Sequence, residues 1–256
     1  MAFNAISDGL KTRIIFTADD KGLKQGPFEI YDEGGHLQEK GTFLDDKRDG
    51  ICERFYPSSQ LLMRASFKRG VQDGLCERYY ENGNLSDSGF LVNGVLDGEQ
   101  KMFYENGQCK LKLTYRKGIK DGMSTVYYPN GQICEVCKLE DTKRVGPYIQ
   151  YYPNGQVRMT CTFEDGKEEG LFCKFYPNGQ LFEEYTMKEG KENGLYKNYT
   201  EYGTLNQTRV YQMGRQLFGE EAKLYLAELE KEAANPQKIT SAPKVNGEQD
   251  NSHTRE

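Results

Sequence analysis

The chain has 256 residues, a formal net charge of -5, 18 tyrosines, 13 phenylalanines, 28 glycines and no tryptophan. Apolar residues make up only 36% even with tyrosine counted, which is too little for a deep two-layer core but enough for a thin sheet of glycine turns and aromatic rungs. An acidic chain without uncompensated basic surface is excluded as a general nucleic-acid binder; seven cysteines without disulfide-framework spacing suit a reducing compartment, and with no signal-peptide pattern or long apolar run the expected location is cytoplasmic.

Residues 1–25 carry one apolar run, Arg13-Ile14-Ile15-Phe16, and are expected to form an irregular strand or two that caps the amino-terminal end of a repeat array. Over 26–217 the chain repeats with a strict period of 24: Gly26, Gly50, Gly74, Gly98, Gly122, Gly146, Gly170 and Gly194 each open a unit, eight in all. With that glycine counted as position 1, position 6 is always aromatic, from Tyr31 and Phe55 to Phe175 and Tyr199. Position 12 is mostly aliphatic and position 18 is bulky and apolar. The even spacings from 2 to 6 and from 12 to 18 are strand periodicity, so each unit reads as a β-hairpin.

Between the two segments stands Tyr-Pro-Asn-Gly-Gln, complete at 128–132, 152–156 and 176–180, with variants such as Tyr-Glu-Asn-Gly at 80–83 and 104–107. Proline ahead of the asparagine favours a type I turn followed by a left-handed glycine, a bulged turn, over a two-residue turn. In that register Tyr151 faces Val157 and Phe175 faces Leu181, which predicts one packed face carrying the position-6 aromatics. A second tight turn, such as Arg-Lys-Gly-Ile-Lys-Asp at 116–121, links each hairpin to the next. The opening glycine is expected to let a bulky neighbour lie over bare backbone. Unit five, with Thr142 for glycine and Val145 for aspartate, makes 140–146 the expected distortion.

The period stops after Leu217. Residues 218–234, with Phe218, Ala222, Leu226, Leu229 and Ala233 at helical spacing, predict an amphipathic helix that could cover the last open sheet edge. The polar residues 235–256 lack aromatics and predict a disordered tail. The expected fold is therefore all-β: an elongated, single-layer antiparallel meander of eight 24-residue hairpin repeats with a carboxy-terminal α-helical cap.

This repeat, Tyr-Tyr-x-Asn-Gly-Gln-Leu with a bulky residue six later and Gly-x-x-Asp-Gly, resembles the MORN-type repeat over 26–217. It is most similar to the variant form in bacterial antitoxin-type proteins of the YwqK group. The resemblance implies a sheet of consecutive hairpins used for protein contacts, with lipid binding in some members.

Catalytic and metal constellations are not found in the pattern. His36 and His253 are the only histidines, and no spacing gives His36 a partner for a triad or a zinc site. Cys134-x-x-Cys137 lies on a strand, where residues three apart point to opposite faces. Asp49, Asp73, Asp97 and Asp121 recur once per unit just before glycine, as turn residues do. No enzyme activity, metal or cofactor is expected.

The feature with the strongest functional reading is a second aromatic stripe. Tyr56, Tyr80, Tyr104, Tyr128, Tyr152 and Tyr176 follow the position-6 aromatic and project from the other face, flanked by Arg54, Arg78 and Lys174. Exposed tyrosine and arginine are enriched at interface hot spots. The expectation is a non-enzymatic scaffold that binds a protein partner along this stripe, antitoxin-like in its specific form. Peripheral binding of acidic lipid such as phosphoinositide is the alternative.

Overall fold

Two kinds of turn alternate along the chain, and each is dictated by residues that tolerate positive φ. The computed structural model describes residues 3–8 and 12–234. At Tyr128-Pro129-Asn130-Gly131-Gln132 the Gly131 amide donates to the Tyr128 carbonyl at 2.9 Å and the Tyr128 amide to the Gln132 carbonyl at 2.8 Å, with Gly131 at φ 85°. This is the bulged type I turn, and it recurs in every unit. The other connection is a two-residue turn with both central residues left-handed, such as Asn93 and Gly94 at φ 50° and 81° between paired Val92 and Val95. That is the type I′ geometry whose twist matches antiparallel strands.

The strands so joined are β1 (Phe3–Asp8), β2 (Thr12–Ala18), β3 (Lys24–Tyr31), β4 (Leu37–Leu44), β5 (Lys47–Arg48), β6 (Gly50–Phe55), β7 (Leu61–Lys68), β8 (Val71–Tyr79), β9 (Leu85–Val92) and β10 (Val95–Phe103). They continue as β11 (Cys109–Arg116), β12 (Ile119–Tyr127), β13 (Ile133–Glu140), β14 (Lys143–Tyr151), β15 (Val157–Glu164), β16 (Lys167–Phe175), β17 (Leu181–Lys188), β18 (Lys191–Tyr199), β19 (Leu205–Gln212) and β20 (Arg215–Leu217), followed by helix α1 (Gly219–Ala233). Each strand pairs antiparallel with its neighbours in sequence, and β5 and β6 are two pieces of one rung because both pair with β4. The result is a single open meander, on the order of 90 Å long at about 4.8 Å per rung. At the amino-terminal end β1 pairs with β2 in continuous register, while β2 pairs with β3 with a register shift between Phe16 and Thr17. The tail expected at 235–256 lies outside the described residues.

Register confirms the bulged turn and corrects the faces. Tyr151 pairs with Val157 and Phe175 with Leu181, as expected. One residue further the register shifts again: Gln150 pairs with Met159, which leaves Arg158 as an extra residue. That shift reverses the parity of the returning strand, so positions 12 and 18 lie on opposite faces. The buried cluster is built from positions 3, 14, 16 and 18, with Leu113, Cys137, Leu139, Tyr148, Cys161, Phe172 and Met187 at its centre and Phe163 and Tyr185 against it. A second cluster joins Phe16, Phe28, Phe43 and Cys52. The position-6 aromatics belong to neither; they lie half-buried on the opposite, open face.

The opening glycine is also a bulge. On β13 the single residue Cys137 faces three on β14, because Val136 pairs with Ile149 and Lys138 with Val145. Gly74, Gly98 and Gly122 sit at φ 113°, 105° and 123° in this bulge. The glycine is required by its backbone conformation; a Cβ at Gly122 would meet Thr114, not the bulky Tyr115. Bulges in register along the sheet raise its twist, which lets neighbouring rungs close over one another on one side and bury a core without a second layer. Unit five keeps its geometry. Asp141 and Thr142 adopt the type I′ conformation at φ 47° and 71°, with Glu140 still paired to Lys143. The interrupted rung is the one formed by β5 and β6.

Face assignment has a direct test. Truncating Phe172, which is 4% exposed in the main cluster, is expected to cost about 3–5 kcal/mol in denaturant unfolding. Phe175→Ala, three residues on and half-exposed on the open face, should cost less than half as much. Equal losses would contradict the assignment.

Candidate functional site

The tyrosine stripe is built into the joints between repeats. Each hydroxyl donates to the backbone carbonyl of the position-6 residue in the next unit: Tyr56 to Tyr79, Tyr80 to Phe103, Tyr104 to Tyr127, Tyr128 to Tyr151, Tyr152 to Phe175 and Tyr176 to Tyr199, at 2.7–2.9 Å. The rings are half-buried at the margin of the packed face, where Lys110 lies over Tyr104 and Phe182 meets Tyr176 edge-on. The asparagine of the same motif works in both directions. Asn130 Oδ1 accepts the Gln132 amide at 3.1 Å, and its Nδ2 donates to the Pro153 carbonyl at 3.0 Å. A stripe projecting freely from the sheet is therefore not what the structure contains.

The flanking cations are engaged as well. Arg54, Arg78 and Lys174 each reach a carboxylate at position 14 of the packed face: Glu39 at 3.1 Å, Asp87 at 3.8 Å and Glu183 at 2.8 Å. Glu39 is buried and is also held by Arg48 at 2.6 Å. Glu183 also accepts the Tyr196 hydroxyl, and Glu135, at the same position of its own unit, accepts that of Tyr148, both at 2.8 Å. Burial, reinforced by the carboxylate beside it, pushes the Tyr196 hydroxyl up to about 12 and Tyr148 higher still. Burial also pushes the Cys161 thiol up to about 11.

The opposite edge is joined in the same manner. In each type I′ turn the second residue's amide donates to the preceding unit, as Gly94 does to the Gln72 carbonyl at 2.7 Å. Two of the position-24 aspartates accept from the next turn, Asp49 from the Arg69 amide at 2.9 Å and Asp73 from the Asn93 amide at 3.1 Å. His36 sits in its turn against Asp32 at 3.2 Å. Cys137 is in the packed cluster, while Cys134 lies by Tyr128 at the margin. Among the described residues no group of three or more His, Cys, Asp or Glu is placed to hold a metal ion.

What these joints leave free is the open face, and its chemistry changes along the sheet. Positions 4 and 15 form its central column, each residue the register partner of the next. The column begins Glu29, Lys40, Glu53, Arg64, Glu77, an alternation of charges held by ion pairs such as Lys40–Glu53 at 3.1 Å and Arg64–Glu53 at 2.9 Å. From β12 to β16 it reads Thr125, Val136, Ile149, Thr160, Cys173, with no charge. Beside this stretch run the position-2 side chains Met123, Pro147 and Leu171, all exposed, Met123 by 53% and Leu171 by 59%. Tyr127, Tyr151 and Phe175 line its other flank, half-buried. Sequence reasoning missed this surface because it placed the faces the wrong way round; with the correct register the loss of charge at positions 4 and 15 is visible in the sequence.

Helix α1 lies on that same open face, not along the last edge. Leu226, Leu229 and Ala233 border a shallow hollow with Thr186, Asn193, Gly194 and Leu195 of β17 and β18. The Tyr225 hydroxyl donates to Asn193 Oδ1 at 2.7 Å.

Two outcomes test this site description. Tyr128→Phe keeps the ring and removes one inter-repeat bond, so a loss of about 1 kcal/mol in unfolding free energy is expected. Stability should also fall as pH rises. The unfolded tyrosines ionise near their ordinary value of about 10, whereas folded Tyr196 holds its proton to about 12, so its contribution is intact below about 10 and lost on the way to about 12. Tyr196→Phe should flatten the slope of unfolding free energy against pH in that window.

Among curated proteins none matches the chain. The family described as MORN repeat variant matches residues 24–45, 48–69, 72–92, 96–117, 120–138, 144–165 and 168–189, seven repeats that together cover more than half of the chain. The eighth structural unit, from Gly194 to Leu217, completes the array beyond the last matched segment. With that match, and with a meander of hairpins carrying it, the chain belongs to the MORN repeat variant family.

Proposed function

We propose that this protein is a non-enzymatic scaffold that binds a protein partner on the open face of β12–β16. The observation that carries the reading is the uncharged column Thr125, Val136, Ile149, Thr160, Cys173, bordered by exposed Met123, Pro147 and Leu171. A contiguous apolar patch of this kind on a water-exposed sheet marks an interaction surface. The sheet does not need the patch for cohesion, since the repeats are joined at both edges and packed on the other face. The antitoxin-like role that the resemblance suggests, occlusion of a toxic protein, would use the same surface.

Protein is favoured over acidic lipid by the surroundings of the patch. Around the patch Lys101 is answered by Glu99 at 2.7 Å, Lys138 by Glu140 at 2.6 Å and Lys197 by Glu184 at 3.1 Å, while Lys112, the register partner of Thr125, lies over the Tyr127 ring and is, among the described residues, the one basic side chain of the column beside the patch without a carboxylate partner. Binding to anionic headgroups needs unpaired basic residues around the apolar contact.

Affinity capture from the native host separates these readings. Wild-type chain is expected to retain a protein partner that Met123→Glu with Leu171→Glu loses, while a Tyr104→Phe control retains it. Flotation with phosphatidylserine and phosphoinositide vesicles is expected to leave the protein in the dense fraction. Salt-sensitive flotation that the double variant abolishes would transfer the site to lipid.

A further inference from the structure

The open face holds one resident ligand already, its own helix α1. All of the position-2 side chains from Pro27 to Leu171 are exposed, whereas Leu195 is half-buried where α1 packs. The residues that α1 turns to the sheet are Tyr225, Leu226 and Leu229, with Ala233 seven residues after Leu226 at the exposed rim of the hollow. Leu229 Cδ1 approaches to 3.5 Å of the point where a Cβ would stand on Gly194, so the bulge glycine serves as the floor for a helical leucine. The units before it repeat the glycine and the position-2 side chain.

Spacing selects the kind of guest that could occupy those units. Equivalent positions in successive units are two rungs apart, about 9.6 Å. Seven residues of α-helix rise about 10.5 Å. A helix lying across the strands therefore meets one position-2 side chain per heptad, and over the three intervals from Met123 through Pro147 and Leu171 to Leu195 the two repeats drift apart by only about 3 Å. An extended peptide is disfavoured on the same surface. The face of a paired sheet offers no free backbone groups, so a strand laid over it would bury its own amides and carbonyls unpaired, whereas a helix satisfies them internally.

We infer that the partner engages β12–β16 through an amphipathic α-helix laid across the strands, with apolar residues at heptad spacing, in line with α1. This inference rests on the reading of that face as the partner site. Glu99, paired with Lys101 at 2.7 Å, interrupts the position-2 row and sets the amino-terminal limit of the docked helix. The side chains to which such a helix would bind are raised from the sheet by the bulges that hold the opening glycines, which makes each a knob between leucines of the guest.

The test uses the full chain and a synthetic three-heptad peptide with leucine at positions a and d on an alanine, glutamate and lysine background. A scrambled peptide of the same composition is the control. Fluorescence anisotropy is expected to detect binding of the heptad peptide and not of the scrambled one. Met123→Glu with Leu171→Glu, both at exposed positions and checked for native circular dichroism, should weaken it by about tenfold or more, because each buries a carboxylate against leucine. Glu99→Leu should tighten binding of a four-heptad peptide. Equal binding of the scrambled peptide, or indifference to the double variant, overturns the helix inference. If the natural partner is still lost on the double variant while the heptad peptide does not bind, the partner site stands and its helical occupant does not; if neither depends on the double variant, both fail.

Discussion

A single-layer sheet has no second layer to hold its rungs in place, so everything in this molecule depends on bonds that run from one repeat to the next outside the strand ladder. Those bonds lie at the two edges. At one, each tyrosine hydroxyl and asparagine amide of Tyr-Pro-Asn-Gly-Gln reaches the backbone of the following unit. At the other, the type I′ turn donates back to the preceding unit and, at Asp49 and Asp73, an aspartate accepts from the following turn. Each tyrosine bond joins residues 23 apart. An insertion of one residue within a unit would break contacts at both edges, which gives a physical reason for a 24-residue period without gaps over eight units. Stability in such an array is a sum of intrinsic and nearest-neighbour terms, and here the neighbour terms are legible as named hydrogen bonds.

The bulges then decide what each face can be. One bulge follows the tyrosine turn and the other surrounds the opening glycine. Between them they turn Phe172, Tyr148 and their equivalents to one side and the position-6 aromatics to the other. The packed side takes the polar load inward as paired groups, with Glu39 between Arg48 and Arg54 and with Glu183 between Lys174 and Tyr196. Removing one member would strand a charge in a half-dry site, which is costly. The open side carries no such obligation.

How much of this could be read from the residues depends on how local each constraint is. The period, the hairpins, the bulged turn and the helix are local, and Pro129, Gly131 and the position-6 aromatics specify them within a few residues. Faces are not local, because parity along a strand survives only until an extra residue interrupts it. The shift at Arg158 leaves nothing in the sequence except a single unpaired position. The role of the tyrosine hydroxyls was hidden for a related reason: the acceptor of Tyr128 is the backbone of Tyr151, and a backbone acceptor has no letter. For α1, amphipathic spacing predicts that one stripe is covered but not by what; the answer came from Gly194 and Leu195.

Conformity and departure carry different information in a repeat array. Residues that recur in most units, such as the turn glycines and the stripe tyrosines, are those the array needs to continue, and the tyrosines each hold a neighbour. A partner cannot be recognised by what recurs everywhere, because recurrence alone would let it bind in any register along the sheet. Positions free to vary are the ones that can fix a place, and on the open face the central column changes from Glu29, Lys40, Glu53 and Arg64 to Thr125, Val136, Ile149 and Thr160 without any change in backbone register. Charged columns at either end of an uncharged one also discourage sliding, since an apolar guest displaced by one unit would desolvate ion pairs such as Lys197–Glu184. The address of the site is therefore written in the units that depart from the repeat, while the residues that obey it keep those departures in line.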